Sequence, residues 1–357
     1  MFKFLKSLRG FSSAARPTKP GRRPRSFRPQ LEDLEGRQLL SGTSLISAIS
    51  YNSYNPITNT VQNHHALFAI DRTKQQVVEY VDQTRYALGG PKVTDVSASI
   101  DQSFSIFGHR PEVFALNTSG LLWRWAPSTG WLQLGGPTQF AEISATRDGQ
   151  VYADTYLIHN TTSVDLIDAT GKTYYLGANF YDVSAGRDAS GRDEVFALGF
   201  DNHIYVNDAG TPTGWQLVDG SRQFYRISAT QHGEVYALDT TGNLFQESLV
   251  TASVYMLVQP VSLTYWSATQ YAQGPFYSIS ADSADSTHDE VYTLDLSGNA
   301  YRIGPQGGAV RVATGVSEIA GADGGWFYEV GSWGGIPGQV REVSPSGQYW
   351  NLSGSVL

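Results

Sequence analysis

Cysteine is absent from this chain of 357 residues. Without it there is no disulfide framework and no cysteine-based metal site. A chain of this length can bury a core large enough to fold without such cross-links. The absence therefore excludes the class of small, disulfide-stapled domains.

Charge is scarce, at 16% of residues, and it is unevenly distributed. Residues 1–41 carry a net charge of +7, whereas the remainder carries −15. An acidic body is not expected to bind nucleic acid or anionic lipid. No run of 18 apolar residues occurs, so we expect no membrane-spanning segment.

Local signatures of catalysis are missing as well. The chain contains no His-Glu-x-x-His, no Gly-x-Ser-x-Gly and no phosphate-binding Gly-x-x-x-x-Gly-Lys. Asp and Glu are plentiful, but no pair stands out as a general acid and base. Active sites that are assembled from single, scattered residues leave no such signature, so an enzyme stays an alternative.

What the chain has in excess is glycine, with 37 residues, and tyrosine, with 20. This composition suits short strands and tight turns. One phrase, Ile/Val-Ser-Ala, recurs about every 45 residues, and its last copy reads Ile-Ala-Gly. The seven anchors begin at Ile46, Val96, Ile143, Val183, Ile227, Ile279 and Ile319.

A near-continuous apolar run such as Val235–Leu238 follows each anchor. Such a run is typical of a strand covered on both faces. Several strands in a repeat of this length are typical of propeller blades. We therefore predict an all-β fold: a seven-bladed β-propeller of four-stranded antiparallel blades over residues 42–357, with the anchors on the innermost strands, where small residues fit. We predict that unit seven holds all four of its strands within residues 319–357, with an extra pairing of residues 42–45 and the chain end as an open alternative.

Residues 1–41 are basic and rich in proline, which predicts a targeting segment that is disordered up to about residue 28. Its end, Leu34-Glu-Gly-Arg-Gln-Leu-Leu-Ser41, resembles an N-terminal motif of exported and surface proteins of planctomycete-type bacteria. Gly36 stands where that motif more often has Asp or Pro. The resemblance implies export, with processing near Ser41; the alternative is a short amphipathic helix of no consequence.

The repeated unit resembles tectonin-type β-propellers. The matching features are Ile227–Ala229, Glu234–Asp239, Gly242–Phe245 and the Gly-Trp of Trp131 and Trp215, although Gly-Trp is missing from units one, three, five and six. The resemblance covers about residues 46–357. It implies recognition of carbohydrate or lipopolysaccharide, so we expect a glycan or cell-envelope polymer as partner. We expect no cofactor and a monomeric chain.

Three tyrosines are candidate ligand contacts. Tyr181, Tyr225 and Tyr277 each follow a phenylalanine that precedes an anchor, where the chain crosses to the next blade. A ring of tyrosines on one rim would stack on sugar faces. The alternative is packing between blades. Trp131 and Trp215 likewise fit outer-strand packing or sugar platforms.

Three histidines form a second candidate set. His64, His232 and His288 each fall two residues before a second strand, which predicts a position on first-to-second-strand hairpins at one channel mouth. Imidazoles there could bind a ligand, bind a metal or respond to pH. The alternative is that exposed hairpins accept polar residues. An enzyme, a lyase or hydrolase, would use this mouth.

Calcium is a further alternative. Two acidic loops, Asp188–Glu194 and Asp282–Glu290, could supply oxygen ligands, although neither has the alternating pattern of a calcium loop and Arg192 intrudes in the first. The sequence thus favours an exported, non-enzymatic binding module, with an enzyme or a purely structural surface protein as alternatives.

Overall fold

A computed structural model describes most of the propeller region. The described residues are 45–55, 60–101, 110–146, 149–156, 162–188, 190–208, 214–230, 232–256, 259–283, 289–304, 307–322 and 324–356. They form 28 strands in seven four-stranded antiparallel sheets, which confirms the predicted all-β fold and the number of blades. None of the described residues belongs to a helix that could cross a membrane. The segment 1–41, with its export motif, lies outside the described residues.

Each blade uses four consecutive strands. The strands of blades 1 to 3 are β1 (Ile46–Asn55), β2 (Thr60–Ile70), β3 (Val77–Val81), β4 (Thr84–Gly89), β5 (Val93–Asp101), β6 (Arg110–Asn117), β7 (Leu122–Ala126), β8 (Gly130–Gln133), β9 (Phe140–Ala145), β10 (Val151–Tyr156), β11 (Thr162–Ile167) and β12 (Thr173–Ala178). Those of blades 4 and 5 are β13 (Phe180–Arg187), β14 (Asp193–Gly199), β15 (Ile204–Asp208), β16 (Gln216–Asp219), β17 (Phe224–Ala229), β18 (Glu234–Asp239), β19 (Leu244–Met256) and β20 (Gln259–Ala272). Those of blades 6 and 7 are β21 (Phe276–Ser283), β22 (Asp289–Asp295), β23 (Asn299–Ile303), β24 (Ala309–Thr314), β25 (Val316–Ala322), β26 (Trp326–Trp333), β27 (Ile336–Val343) and β28 (Tyr349–Ser355).

The first strand of every blade is innermost. Each first strand contacts the first strands of both neighbouring blades, and β25 contacts β1, so the ring is closed. All seven anchors lie on these strands, as predicted. The second strands are buried on both faces; Val235 and Ala237, for example, are fully buried toward blade 4, and Leu238 toward blade 6.

The anchor serines join the blades by hydrogen bonds. The hydroxyl oxygen of Ser184 accepts the backbone N–H of Ala229 in the next blade at 2.8 Å. Equivalent bonds run from Ala98 to Ser47, Ala145 to Ser97, Ala185 to Ser144, Ala281 to Ser228 and Gly321 to Ser280. An inner edge strand leaves backbone N–H groups without a sheet partner. The serine hydroxyls accept hydrogen bonds from these donors. The prediction explained the serines only by their small volume and did not include this role.

Ring closure departs from this pattern. Ala320 replaces the anchor serine in blade 7 and has no hydroxyl. Instead, Oε1 of Glu318 accepts the N–H groups of Leu45 and Ile46 at 2.7 and 3.1 Å. All four strands of blade 7 come from the C-terminal part of the chain, as predicted.

The chain end is held by a residue that the sequence did not indicate. Val356 forms an antiparallel bridge with Asp71, just after β2. Leu45, the described part of segment 42–45, instead accepts the N–H of Ile70 with its carbonyl. This hydrogen bond extends the pairing of β1 and β2 by one residue, so the carbonyl of Leu45 pairs with β2 and not with the end of the chain.

Candidate binding site

The three predicted tyrosines connect neighbouring blades. The hydroxyl of Tyr181 lies 3.0 Å from Asn202 Oδ1 and 3.1 Å from the carbonyl oxygen of Phe224. The Tyr225 hydroxyl donates to the carbonyl oxygen of Phe276. Burial raises the pKa of Tyr225 to about 12.

Tyr277 continues the series, with its hydroxyl 3.5 Å from the carbonyl oxygen of Ser317. Each of the three rings is half-buried. The structure thus gives all three tyrosines a contact with the next blade. Their contact with a ligand stays a prediction.

The predicted histidines lie on separate blades. His232 sits on the hairpin between β17 and β18, as expected, and its Nδ1 lies 2.7 Å from Oδ1 of Asp289 in blade 6. His64 lies inside β2, opposite Tyr51, because the hairpin of blade 1 extends further than predicted. The Nδ1 atom of His64 lies 2.9 Å from Asp82 Oδ2.

His288 lies outside the described residues, and blades 1 and 5 are not adjacent. Within the described ranges, no group of three or more His, Asp or Glu side chains is placed to hold a metal ion. In the first acidic loop, Asp188 accepts hydrogen bonds from the backbone N–H groups of Ser190 and Arg192 and forms an ion pair with Arg192. Much of the second loop, residues 284–288, is not described.

The two Gly-Trp tryptophans lie between outer strands. The indole N–H of Trp131 donates to the carbonyl oxygen of Leu88 at 3.1 Å, and that of Trp215 to Leu176 at 2.8 Å. Each bond reaches the fourth strand of the preceding blade. These contacts match the packing alternative.

Charged side chains also occupy the innermost strands. The residue before the anchor is acidic in four blades, and in blade 5 it is Arg226, whose Nη1 lies 4.0 Å from Glu142 and 3.9 Å from Asp182. Burial raises the pKa of both carboxyls. Oδ2 of Asp182 also accepts the N–H of Ile227 at 3.3 Å, so part of this cluster bonds the next blade, as the serines do.

The clearest departure from the repeat is a row of three polar residues in blade 7. The register places Glu329 of β26 opposite Arg341 of β27, which is opposite Asn351 of β28. Glu329 pairs with the anchor Ile319. In each of the other six blades, the second-strand residue that pairs with the anchor is small. These residues are Ala69, Ala115, Ala153, Ala197, Ala237 and Thr293.

Glu329 is the most unusual member of this row. Its side chain is 3% exposed, and its Oε2 atom has no hydrogen-bond partner among the residues that the structure describes. Burial raises the pKa of this carboxyl to about 7, and the charge of Arg341 opposes the shift. A buried oxygen without a partner costs free energy unless a ligand or water satisfies it.

Arg341 is held rigidly beside this carboxylate. Its guanidinium lies over the rings of Trp333 and Tyr349, at 3.8 and 4.6 Å from their centroids. Nε donates to Asn351 Oδ1 at 2.9 Å, and Nη1 lies 3.8 Å from Glu329 Oε1. Two aromatic rings and two polar partners therefore orient one cation before any ligand arrives.

A pocket of about 400 Å³ between blades 6 and 7 is lined by Glu329, Trp333, Arg341 and Tyr349. Trp333 is anchored by an indole N–H bond to the carbonyl oxygen of Thr314 at 3.2 Å. Arg302 enters from blade 6 and donates from Nη1 to the carbonyl oxygen of Pro345 at 3.0 Å. The Ser344–Gly347 turn, which joins β27 to β28, completes the lining.

The arrangement suits a polyhydroxylated ligand. Aromatic walls bury the C–H faces of a sugar, and a few convergent polar groups fix its hydroxyls. Arginine supplies donors only, whereas an ionised carboxylate supplies acceptors only. A hydroxyl both donates and accepts, so it can satisfy both kinds of group in this pocket.

Sequence reasoning missed every one of these residues. It searched the tyrosines and histidines that recur at matching positions, whereas the pocket is built from residues that break the repeat. An alignment of the apolar second-strand runs would have singled out Glu329, because the corresponding residue is Ala or Thr in the other six units. Trp333 and Tyr349 carry no such signal, because they lie in the least regular unit.

Comparison with known proteins supports the fold but assigns the chain to no family. No protein family and no curated protein matches the chain in sequence. Among solved structures, a puromycin-hydrolyzing peptidase of Mycobacterium tuberculosis is similar, with a TM-score of 0.55, 10% identity, 87% of this chain covered and 54% of the peptidase. A structure from a study of two prolyl endopeptidases has a TM-score of 0.52 and 10% identity over 89% of this chain and 50% of that one.

The chain thus spans about half the length of these peptidases. A lectin in complex with alpha methyl fucoside, SapL1, has a TM-score of 0.45 and 15% identity over 73% of this chain and 96% of the lectin. At these identities the similarities show the fold alone. The fold itself places the chain in the class of seven-bladed β-propellers.

Proposed function

We propose that this chain is an exported, non-enzymatic binding module that recognises carbohydrate or another cell-envelope component. The ligand occupies the pocket between blades 6 and 7. The observation that carries the proposal is the buried, unpartnered Oε2 of Glu329 in a pocket that also holds Arg341, Trp333 and Tyr349. Other buried oxygens among the described residues also lack a partner, such as those of Glu247, but the oxygen of Glu329 belongs to a residue that lines this pocket, where a ligand can satisfy it.

The loops of the propeller take part through the Ser344–Gly347 turn, which lines the pocket. Tyr181, Tyr225 and Tyr277, together with His64, His232 and His288, stay predicted contacts for a larger ligand. Export rests on the resemblance of residues 34–41 to a targeting motif, and kinship with tectonin-type propellers rests on the repeated phrases. An enzyme at the histidine-lined mouth stays an alternative prediction.

The test is binding of the full chain to an array of neutral and charged glycans, followed by titration of the best binder. We expect Trp333→Ala to reduce its affinity at least tenfold, because the substitution removes an aromatic wall and releases Arg341. Trp131→Ala is the matched control. It removes an equivalent indole contact between blades 1 and 2, far from the pocket, and should leave affinity unchanged.

Two outcomes would contradict the proposal. One is the absence of binding to any glycan or envelope polymer. The other is an equal loss of affinity in the two tryptophan variants, which would indicate that general loosening of the ring, and not the pocket, governs binding.

A further inference from the structure

The pocket between blades 6 and 7 differs in charge from the rest of the propeller. Its lining contains two arginines, Arg302 and Arg341, and one acid, Glu329. Beyond residue 41 the chain carries a net charge of −15. A concave site with low-dielectric walls focuses the field of the charges that line it. The pocket is therefore locally cationic on an acidic protein.

Arg302 has no carboxylate partner among the described residues. Its one described bond is the donation from Nη1 to the carbonyl oxygen of Pro345. Several other arginines among the described residues are paired with a carboxylate, for example Arg124 with Glu112 at 2.6 Å and Arg222 with Asp219 at 2.7 Å. A guanidinium offers five N–H donors, so most of those on Arg302 are available to a ligand.

Arg341 faces the pocket from the opposite blade and is already oriented. The rings of Trp333 and Tyr349 fix the plane of its guanidinium. Its contact with Glu329 is long, at 3.8 Å, and does not consume both terminal nitrogens. Guanidinium groups that are held in place bind planar or tetrahedral oxyanions through two parallel N–H bonds.

We propose that the pocket takes an acidic saccharide, with a carboxylate or sulfate group of the sugar bound between Arg302 and Arg341. This inference rests on the proposed function and names its ligand class. Oε2 of Glu329 accepts a hydroxyl of the same sugar, and Arg341 offsets the charge of Glu329. A uronic acid and a sulfated sugar present the same oxyanion chemistry, so both are named.

The experiment compares oligosaccharides of equal length in the same backbone. Isothermal titration of the full chain would use oligogalacturonides, the neutral series obtained by reducing their carboxyl groups, and the sulfated form of that neutral series, at low and high salt. We expect at least one acidic series to bind tenfold or more tightly than the neutral one, with the difference shrinking as salt rises. The preferred series identifies carboxylate or sulfate as the recognised group.

Arg302→Gln provides the residue-level test. We expect this variant to lose at least tenfold in affinity for the acidic series and much less for the neutral one. Arg311→Gln is the matched control, because Arg311 is exposed on neighbouring strand β24 and outside the pocket. Equal melting temperatures would confirm that both variants fold.

The outcomes separate the two proposals. Neutral fragments that bind as tightly as acidic ones, or an Arg302→Gln variant that loses both series equally, would overturn the acidic specificity and leave the binding module intact. Failure of all three series, together with a blank glycan array, would overturn both.

Discussion

Replacement of Glu329 by Gln should change how the stability of the propeller depends on pH. The carboxyl of Glu329 has a pKa of about 7 in the folded chain, against an ordinary value of 4.5, because burial disfavours its charged form. Below pH 4.5 it is protonated in both states. Between pH 4.5 and 7 the unfolded chain loses the proton while the folded chain keeps it. The folded state therefore loses stability as pH rises through this window, and the loss levels off above pH 7.

The magnitude follows from the shift. Each pKa unit corresponds to about 1.36 kcal/mol, so this carboxyl lowers the free energy of unfolding by roughly 3 kcal/mol between pH 4 and 8. Glutamine keeps the shape and cannot ionise. Glu329→Gln should therefore lose about 3 kcal/mol less than the wild type across that range, although other buried carboxyls make both proteins less stable at high pH.

Guanidinium unfolding at pH 4, 6 and 8, followed by tryptophan fluorescence, measures this difference directly. Asp188→Asn is the control. The hydrogen bonds of its turn and Arg192 hold the pKa of Asp188 at about 2, below the range of the experiment. Its effect should be nearly the same at all three pH values, because the pH window between its ordinary pKa of 3.8 and its folded value lies below pH 4. If the free energies of unfolding of the wild type and Glu329→Gln changed with pH in parallel, the pKa of this carboxyl would not be raised by folding. That result would contradict the electrostatic account of the pocket.

Two further predictions concern the ring. Ser184→Ala should destabilise the fold by about 1–2 kcal/mol in chemical denaturation, because it leaves the N–H of Ala229 without its acceptor. Ser119→Ala, in an exposed turn, is the control. A loss of stability in Ser184→Ala no larger than that in the control would refute the role of the serines. Gly338→Ala should lower the melting temperature much more than Gly335→Ala. Both glycines have left-handed backbone, at φ 73° and 79°, but an added Cβ at Gly338 would lie 2.1 Å from the carbonyl oxygen of Val356, whereas at Gly335 it meets open space. Similar losses in the two glycine variants would show that the close contact of Gly338 with Val356 does not contribute to stability.

The blade count could be predicted because it rests on local repetition. Every Ile/Val-Ser-Ala phrase forms an inner strand that must be small and partly apolar. Because this requirement is the same in all seven blades, the sequence repeats seven times. The partner of each anchor serine could not be predicted, since Ser184 and Ala229 are 45 residues apart and meet only when neighbouring blades pack.

The pocket was harder to predict for a related reason. Arg302, Glu329 and Arg341 come from two blades and three strands, at spacings that no motif records. Their proximity depends on the register of β26 and β27 and on the contact of blade 6 with blade 7. The tyrosines and histidines were visible because they recur. That regularity fits the shared inter-blade contacts of the three tyrosines.

The central claim is that the pocket between blades 6 and 7 binds a saccharide, and titration of the wild type and Arg341→Gln with the best glycan of the array tests it most directly. Arg341 contacts both aromatic walls and lies beside Glu329. The account predicts that the variant folds but binds at least tenfold more weakly, while Arg311→Gln binds as the wild type does. Unchanged affinity in a folded Arg341→Gln variant would contradict it.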